Sequence, residues 1–484
     1  MNEAGEYAVF PLTVFDRLFE RTTFVTGWLI EGTIDTAALV SALQRVTEKW
    51  RMLSGRLQST EQNNSVQWFL KIPLGRLPHD YATFSLTTST STTPLSKYVK
   101  IPIPSVSTSL PLDVFLHPST PKSYTVWESS NHPLTCWNIT YFPAASNGGV
   151  DYTCIGFARS HGIFDGGGAA LVINALVAEL NGRDWEVPPL PQAGLNVNPL
   201  DDVLARAAQA IQYSTPADAF PAYTVVGPGG VLKLAASHVK ERFWAGADRR
   251  IILLPKVVLD TLVEEVRSSL RNGQKIVEHV TTGDVLVAWI FKTVYASGTK
   301  PQTKIHCTNF ANFRTILGSK YAAAQTFPHN AFVPLPYPIL TVSDVQSFSL
   351  STLTNLFSAS RMSLSMEHVV SGYKLLHNNC FPTPPGADET MTVSNVSASR
   401  ILAADWSAVG SRRTLCGYRY QATPTDVLFT NAVYISGRLD DESTVLDVTL
   451  NKARYDLLSG QVQRLATRIA RNQKYSKPEK RGKK

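Results

Sequence analysis

One junction constrains this chain more than any other stretch: an apolar strand that ends on a histidine and then on three glycines. Tyr152–Arg159 reads as a strand. It runs into Ser160-His161-Gly162-Ile163-Phe164-Asp165-Gly166-Gly167-Gly168, and a helix follows from Ala169 to Leu180, closed by Asn181-Gly182. A strand feeding a helix through so tight a turn belongs in a layered structure of sheets and helices. It also puts an imidazole at the mouth of a sheet. A neutral histidine can accept a proton as a hydroxyl becomes a nucleophile, provided that the attacked carbonyl is already electrophilic, as in a thioester. In helical conformation the four-residue spacing would bring Asp165 beside His161 as a dyad. The glycines equally suit a close approach of substrate to the backbone. A purely architectural reading stays open too, with His161 satisfying a loop hydrogen bond and Asp165 capping the helix.

The remaining elements give a mixed pattern. Asp35 caps a helix whose apolar stripe is Leu39, Leu43, Val46, Trp50 and Leu53, ended by Gly55, and Val66–Ile72 reads as a strand. Residues 76–120 are rich in Ser, Thr and Pro and read as loops with short edge strands. Pro188, Pro189, Pro191 and Pro199, then Pro216, Pro221 and Gly227-Pro228-Gly229-Gly230, mark 186–245 as a crossover. Beyond it come a strand at Arg250–Leu254, a helix on Leu259, Leu262, Val263, Val266 and Leu270, and a buried helix from Val285 to Tyr295 capped by Thr281 or Thr282. Strands are expected at 303–310, 390–395, 428–436 and Thr444–Leu450, followed by a basic helix from about Lys452 to Asn472. The expected fold class is α/β (α+β) with mixed sheets. A chain of 484 residues exceeds what one core usually serves, so two domains are expected: 1–185, and 246–473 with a segment near 378–412 crossing to the first.

Composition narrows the function. The formal charge of +8 is uneven: from Lys474 onward six Lys or Arg and one Glu give +5, leaving +3 for everything before. That is too little for a nucleic-acid-binding face. The tail 474–484 reads as disordered. No apolar run reaches the length of a bilayer span, and no signal-like start is visible, so a cytoplasmic protein without membrane insertion is expected. Cys136, Cys154, Cys307, Cys380 and Cys416 show no Cys-x-x-Cys pairing, which suits reduced thiols; Cys154 reads as a buried, inert thiol. His132, His329 and His377 lack metal-ligand spacing, and no metal is expected.

The motif His161-x-x-x-Asp165-Gly166 resembles that of the BAHD acyltransferases, especially fungal members of the trichothecene acetyltransferase-like type. Other segments agree in order. Trp50–Leu57 resembles the family's early helix-to-strand segment, and Thr281–Trp289 the helix opening its second domain. Asn312-Phe313-Arg314 and Phe327-Pro328-His329-Asn330-Ala331 resemble the arginine motif and the aromatic-x-Asn motif. Asp405-Trp406-Ser407-Ala408-Val409-Gly410 is a partial version of the family's Asp-Phe-Gly-Trp-Gly, with serine for the first glycine and the last glycine one residue late.

The resemblance implies two chloramphenicol-acetyltransferase-like domains with a channel between them. It implies O-acyl transfer from acyl-CoA, most simply acetyl-CoA, to a hydroxylated and largely apolar secondary metabolite in a ternary complex. CoA is then a co-substrate, no cofactor is tightly bound, and the protein is a monomer. His161 becomes the general base. Asp165 takes a structural role with Arg314 as partner, in place of the dyad. Ser394 and Asn395 orient the intermediate or simply form a strand-end turn; Asp405, Trp406 and Gly410 are structural; Gly166 and Asn330 line the substrate channel. Two other readings remain: a condensation-domain-like enzyme using carrier-protein thioesters, and a non-catalytic small-molecule-binding protein. Condensation domains usually carry two adjacent histidines, whereas Ser160 precedes His161 here.

Overall fold

The computed structural model describes residues 7–62, 65–192, 194, 196–211, 220, 222–225, 227–273, 279–318, 328–378, 380–382 and 386–476. Two large sheets organise them. The first has five strands in the order Arg413–Ala422, Thr23–Glu31, Tyr152–Ser160, Thr135–Phe142, Ser85–Thr90, antiparallel except for the last pair. The second is eight-stranded and mixed. Its main path runs Phe332–Pro334, Lys304–Asn312, Glu389–Asn395, Ala432–Arg438, Thr444–Leu450, Asp248–Leu254, Val106–Thr108. Two hydrophobic cores accompany the sheets, one built largely on the first and one on the second.

The histidine strand shows why its sequence lacks alternation. All nine residues of Tyr152–Ser160 are buried, so neither face of the strand calls for polar residues. Its neighbour Thr23–Glu31 is buried over eight of nine residues. Gly27 and Gly156 face each other across these two strands, and Phe115 lies over both. A Cβ on Gly156 would stand 1.8 Å from the Phe115 carbonyl oxygen, so only glycine admits that crossing.

Elsewhere the local chemistry acts as its residues suggest. Asp35 accepts from the backbone N–H groups of Ala37 and Ala38 at 2.9 and 3.0 Å and starts the helix Thr36–Lys49, which buries Leu39, Leu43 and Val46. Thr281 and Asp284 form a capping box on the helix Thr282–Val294. Between the sheets the chain exchanges strands. Val106–Thr108 joins the second sheet, and Arg413–Ala422 returns to the first, downstream of the 378–412 segment expected to cross. The 186–245 stretch carries helices at Pro199–Ala210 and Pro228–Val239, the latter starting inside the Gly-Pro-Gly-Gly run that reads as linker. The final helix, Lys452–Ser476, extends into the tail expected to be disordered; residues 477–484 lie outside the described residues.

Candidate active site

Strand register fixes the position of His161. Thr23 pairs with Ser160 at the last step of the ladder, so His161 is the first residue beyond it, and its backbone N–H donates to the Thr22 carbonyl at 2.9 Å. Its own carbonyl accepts from Asn330 Nδ2 at 2.9 Å. The residue is thus held on both sides of its backbone. The imidazole is half-buried, stacked on Phe19 at 4.1 Å, edge-on to Phe24 at 5.0 Å and flanked by Phe332 at 6.2 Å. Phe19 and Phe332 are themselves half-exposed, so the ring opens on an apolar collar. Among the described residues its Nδ1 has no hydrogen-bond partner and is buried, which leaves the opposite edge as the accessible one. Burial pushes the imidazole pKa down to about 4, against the pull of its own backbone carbonyl; Arg159 and Arg419 also lower it and Asp165 opposes. At neutral pH the ring is an uncharged base.

Asp165 does two things at once. It caps the helix Gly166–Leu180 by accepting from the Gly168 N–H at 2.8 Å. It also forms a bidentate, fully enclosed ion pair with Arg314, at 2.8 Å (Nη1 to Oδ2) and 3.0 Å (Nη2 to Oδ1), and accepts from the Ala331 N–H at 3.2 Å. Its carboxylate is spent on these four donors, so the dyad geometry is not formed. Arg314 Nη2 also donates to the His329 carbonyl at 2.6 Å. The short helix Arg314–Gly318 and the segment around residues 328–331 are thereby tied to the histidine turn.

Gly166 and Asn330, the two residues expected along a channel, both have close protein neighbours. A Cβ on Gly166 would stand 2.6 Å from Val396 Cγ1, and one on Gly168 would stand 1.8 Å from the Pro328 carbonyl oxygen. At both positions the absent side chain admits neighbouring protein. Asn330 is fully buried behind the turn, because its amide is needed by Asp16 and by the His161 carbonyl. Phe327 of the same motif lies outside the described residues.

Ser394 and Asn395 end a strand of the second sheet and are half-buried. Asn395 Oδ1 accepts from Ser397 N–H and Oγ–H at 3.0 and 2.7 Å, which is the strand-end turn. Its Nδ2 faces Gly283 at the start of the helix Thr282–Val294. Neither side chain hydrogen-bonds to His161, although the next residue, Val396, packs on Gly166. Asp405, Trp406 and Gly410 are not near the histidine. They pack on the far end of the same sheet: Trp406 is buried edge-on against Trp28 at 5.2 Å, and the Gly410 carbonyl and Arg412 N–H close on Gly32 and Glu31.

Sequence reasoning missed Asp16. It is fully buried, and its Oδ1 accepts from Asn330 N–H and Nδ2 at 2.9 and 3.0 Å while Oδ2 accepts from Thr13 N–H and Oγ1 at 2.7 and 3.0 Å. Burial pushes its carboxyl up to about 7 against those hydrogen bonds. The signal was present as Thr13-x-x-Asp16, a capping-box pattern. Phe19, Phe24 and Phe332 carried no signal of their own. The three other histidines considered pack: His132 edge-on to Trp127, His377 edge-on to Tyr373, and His329 beside Phe10 with Nδ1 2.8 Å from the Ile163 carbonyl oxygen. All five cysteines are buried and unbridged, and burial holds the Cys154 thiol well above its usual range. The described residues contain no cluster of His, Cys, Asp or Glu able to hold a metal ion, and no helix long and apolar enough to cross a membrane.

No protein-family profile matches the chain. Two curated proteins are similar to it. Acetyltransferase adrJ of Penicillium roqueforti is 26% identical over 310 residues, covering 60% of this chain and 58% of the relative. O-acyltransferase pboC of Aspergillus ustus is 24% identical over 341 residues, covering 66% of each. The match therefore spans a little under two thirds of these relatives' lengths. Among solved structures, F. graminearum TRI101 complexed with ethyl coenzyme A aligns over 94% of this chain and 97% of its own, at 13% identity and a TM-score of 0.67. F. sporotrichioides TRI101 complexed with coenzyme A and T-2 aligns over 92% and 96%, at 13% identity and 0.63. The first condensation domain of the calcium-dependent antibiotic synthetase aligns over 96% of both chains, at 14% identity and 0.55. The resemblance carried by the motifs is thus borne out: this chain has the two-domain fold of the TRI101 acetyltransferases, and its sequence is similar to fungal acetyl- and O-acyltransferases.

Proposed function

We propose that this chain transfers an acyl group, acetyl in the simplest case, from a CoA thioester to a hydroxyl of a largely apolar small molecule, with His161 as general base. One observation carries the reading: a backbone-pinned, uncharged and half-exposed imidazole set in a ring of phenylalanines. The alcohol proton passes to the imidazole as its oxygen bonds to the thioester carbon. The C–S bond then breaks, and the CoA thiolate takes the proton from the imidazolium. Desolvation by Phe19, Phe24 and Phe332 suits an apolar acceptor. Asp165 and Arg314 act as positioning residues, and so do Asp16 and Asn330. Ser394 and Asn395, at the end of their strand, are the residues this reading assigns to orienting the intermediate.

TRI101 structures hold coenzyme A, which supports a CoA donor here. The reading also divides the chain into units 1–185 and 246–473 joined by 186–245, supported by the two cores and qualified by the strands they exchange. The test is to follow free thiol while the protein meets acetyl-CoA and a panel of hydroxylated acceptors. Acceptor-dependent thiol release, lost in His161→Ala, is expected. A folded preparation that releases no thiol with any acceptor contradicts the proposal and favours a binding protein on this scaffold.

A further inference from the structure

Beside His161 the protein buries more positive charge than it neutralises. Arg159 lies two residues before the histidine, near the end of the strand Tyr152–Ser160, on the face of the sheet that it shares with Phe24. Phe24 pairs with Arg159 and Thr26 with Arg419, which brings both guanidiniums to that face. They are 1% and 4% exposed. Arg159 Nη1 donates to Thr26 Oγ1 at 3.2 Å, but its Nε has no partner, and neither has Arg419 Nη1. Neither arginine forms an ion pair among the described residues. Asp447 of the facing sheet approaches, accepting from the Arg419 backbone N–H at 3.2 Å. Its other oxygen makes no hydrogen bond and lies 3.6 Å from Arg249, a third cation. Asp165 is already spent on Arg314. Arg249 and Arg419 thus share Asp447, and Arg159 feels the charge of Asp165 without an ion pair to it.

What fills the gap at present is aromatic. The Phe24 ring lies 5.5 Å from the Arg159 guanidinium carbon, 4.7 Å from that of Arg419 and 5.0 Å from the imidazole, and Phe157 and Tyr434 stack on the outer sides. Such contacts stabilise a cation without neutralising it. Buried charge is ordinarily paired, and an unpaired one strongly disfavours the folded state. Retaining two of them one ring away from the reacting histidine calls for a ligand.

We infer that Arg159 and Arg419 receive a carboxylate of the substrate, placed beside His161 and reached past Phe24. This deepens the acyltransferase reading and rests on it. The carboxylate belongs either to the acceptor, a largely apolar hydroxy acid, or to the acyl group, the half-ester type of a dicarboxylic acid.

Two kinetic arms separate these sources. With acetyl-CoA as donor, hydroxy acids are compared with their methyl esters; with neutral alcohols as acceptors, malonyl-CoA is compared with acetyl-CoA. The charged member is expected to win in one arm by kcat/KM. Arg159→Met and Arg419→Met should lower its kcat/KM about 10- to 100-fold more than that of its neutral counterpart, the worth of a charge-assisted hydrogen bond. The methionine variants, which remove unpaired buried charge, should melt no lower than wild type in the absence of ligand. A fall of many degrees would show the arginines to be architectural and overturn the proposal. So would equal use of charged and neutral members in both arms, with thiol release leaving the acyltransferase reading intact. If no substrate releases thiol, the separate readout is thermal stabilisation by hexanoate against hexanamide. An arginine-dependent shift with hexanoate alone upholds the anion site while the acyltransferase reading fails; no shift overturns it.

Discussion

The two ends of strand Thr23–Glu31 carry the two motifs that mark this chain, and they are built by opposite rules. At the Thr23 end, His161 stands half-exposed with a buried Nδ1 left unpaired, and two arginines nearby are short of anions. At the Glu31 end, the carboxylate and the backbone groups of the other motif are satisfied locally. Asp405 accepts from the Ser407 N–H at 2.9 Å, which holds its carboxyl below the usual range. Val409 and Arg412 hydrogen-bond to the backbone of Asp35 and Glu31, and Trp406 packs on Trp28. A strand of nine residues separates the ends by roughly 30 Å. Buried cations short of anions mark the end where chemistry is proposed; a locally paired carboxylate and packed indoles mark the end where the fold is held.

Mutating both ends and reading both activity and melting temperature tests that contrast. The largest effect expected is on turnover in His161→Ala, a fall of roughly 10²–10⁴-fold with melting close to wild type. Trp406→Ala should show the reverse, losing about 3–5 kcal/mol of stability through the cavity left beside Trp28, with the folded fraction as active per molecule as wild type. If Trp406→Ala instead lowers kcat at full folding, the two ends are coupled and the contrast fails. Asp165→Asn should fall between them, since it leaves Arg314 charged and buried without its partner. A loss of about 3–5 kcal/mol is expected together with reduced activity. An equally stable variant would contradict the structural role.

Smaller effects sharpen the comparison. Gly410 has φ +104, and a Cβ there would stand 2.4 Å from the Thr33 carbonyl oxygen, so Gly410→Ala should cost about 1–3 kcal/mol in denaturant unfolding without changing KM. The smallest is a pH effect. With the imidazole pKa pushed down to about 4, kcat/KM should stay flat as pH falls through 6.5 and decline only toward 4. The same shift makes His161 a source of stability held above pH 6.5 and lost as pH drops toward 4, since the unfolded chain takes up the proton first. Wild type should therefore lose stability across that window faster than His161→Ala.

How far the sequence revealed this structure depended on whether the signal was local. The strand–turn–helix around His161 was legible because glycines, an apolar run and an Asn-Gly stop all lie within one stretch. So were Asp35, Thr281 and the strand Thr444–Leu450, whose caps or boundaries are written in adjacent residues. Thr23–Glu31, Thr135–Phe142 and Arg413–Ala422 went unread, although they flank or complete the histidine's own sheet. Arg413–Ala422 contains Arg419 and three tyrosine or cysteine side chains that become buried only because a distant strand pairs with it. The site was legible in the same uneven way. Asp165 and Arg314 stand 149 residues apart and were joined by resemblance, not by pattern. Phe24 and Arg159 acquire meaning only through register, which no single stretch encodes, whereas the capping box of Asp16 is local but says nothing of its distant partner Asn330.

The most direct test of the central claim is a crystal structure of the protein with CoA bound. The account predicts the thiol sulfur at the accessible edge of the His161 ring, within about 3–4 Å of it and inside the collar of Phe19, Phe24 and Phe332. A sulfur bound far from that edge, or a histidine sealed off from the bound CoA by packed side chains, would contradict it.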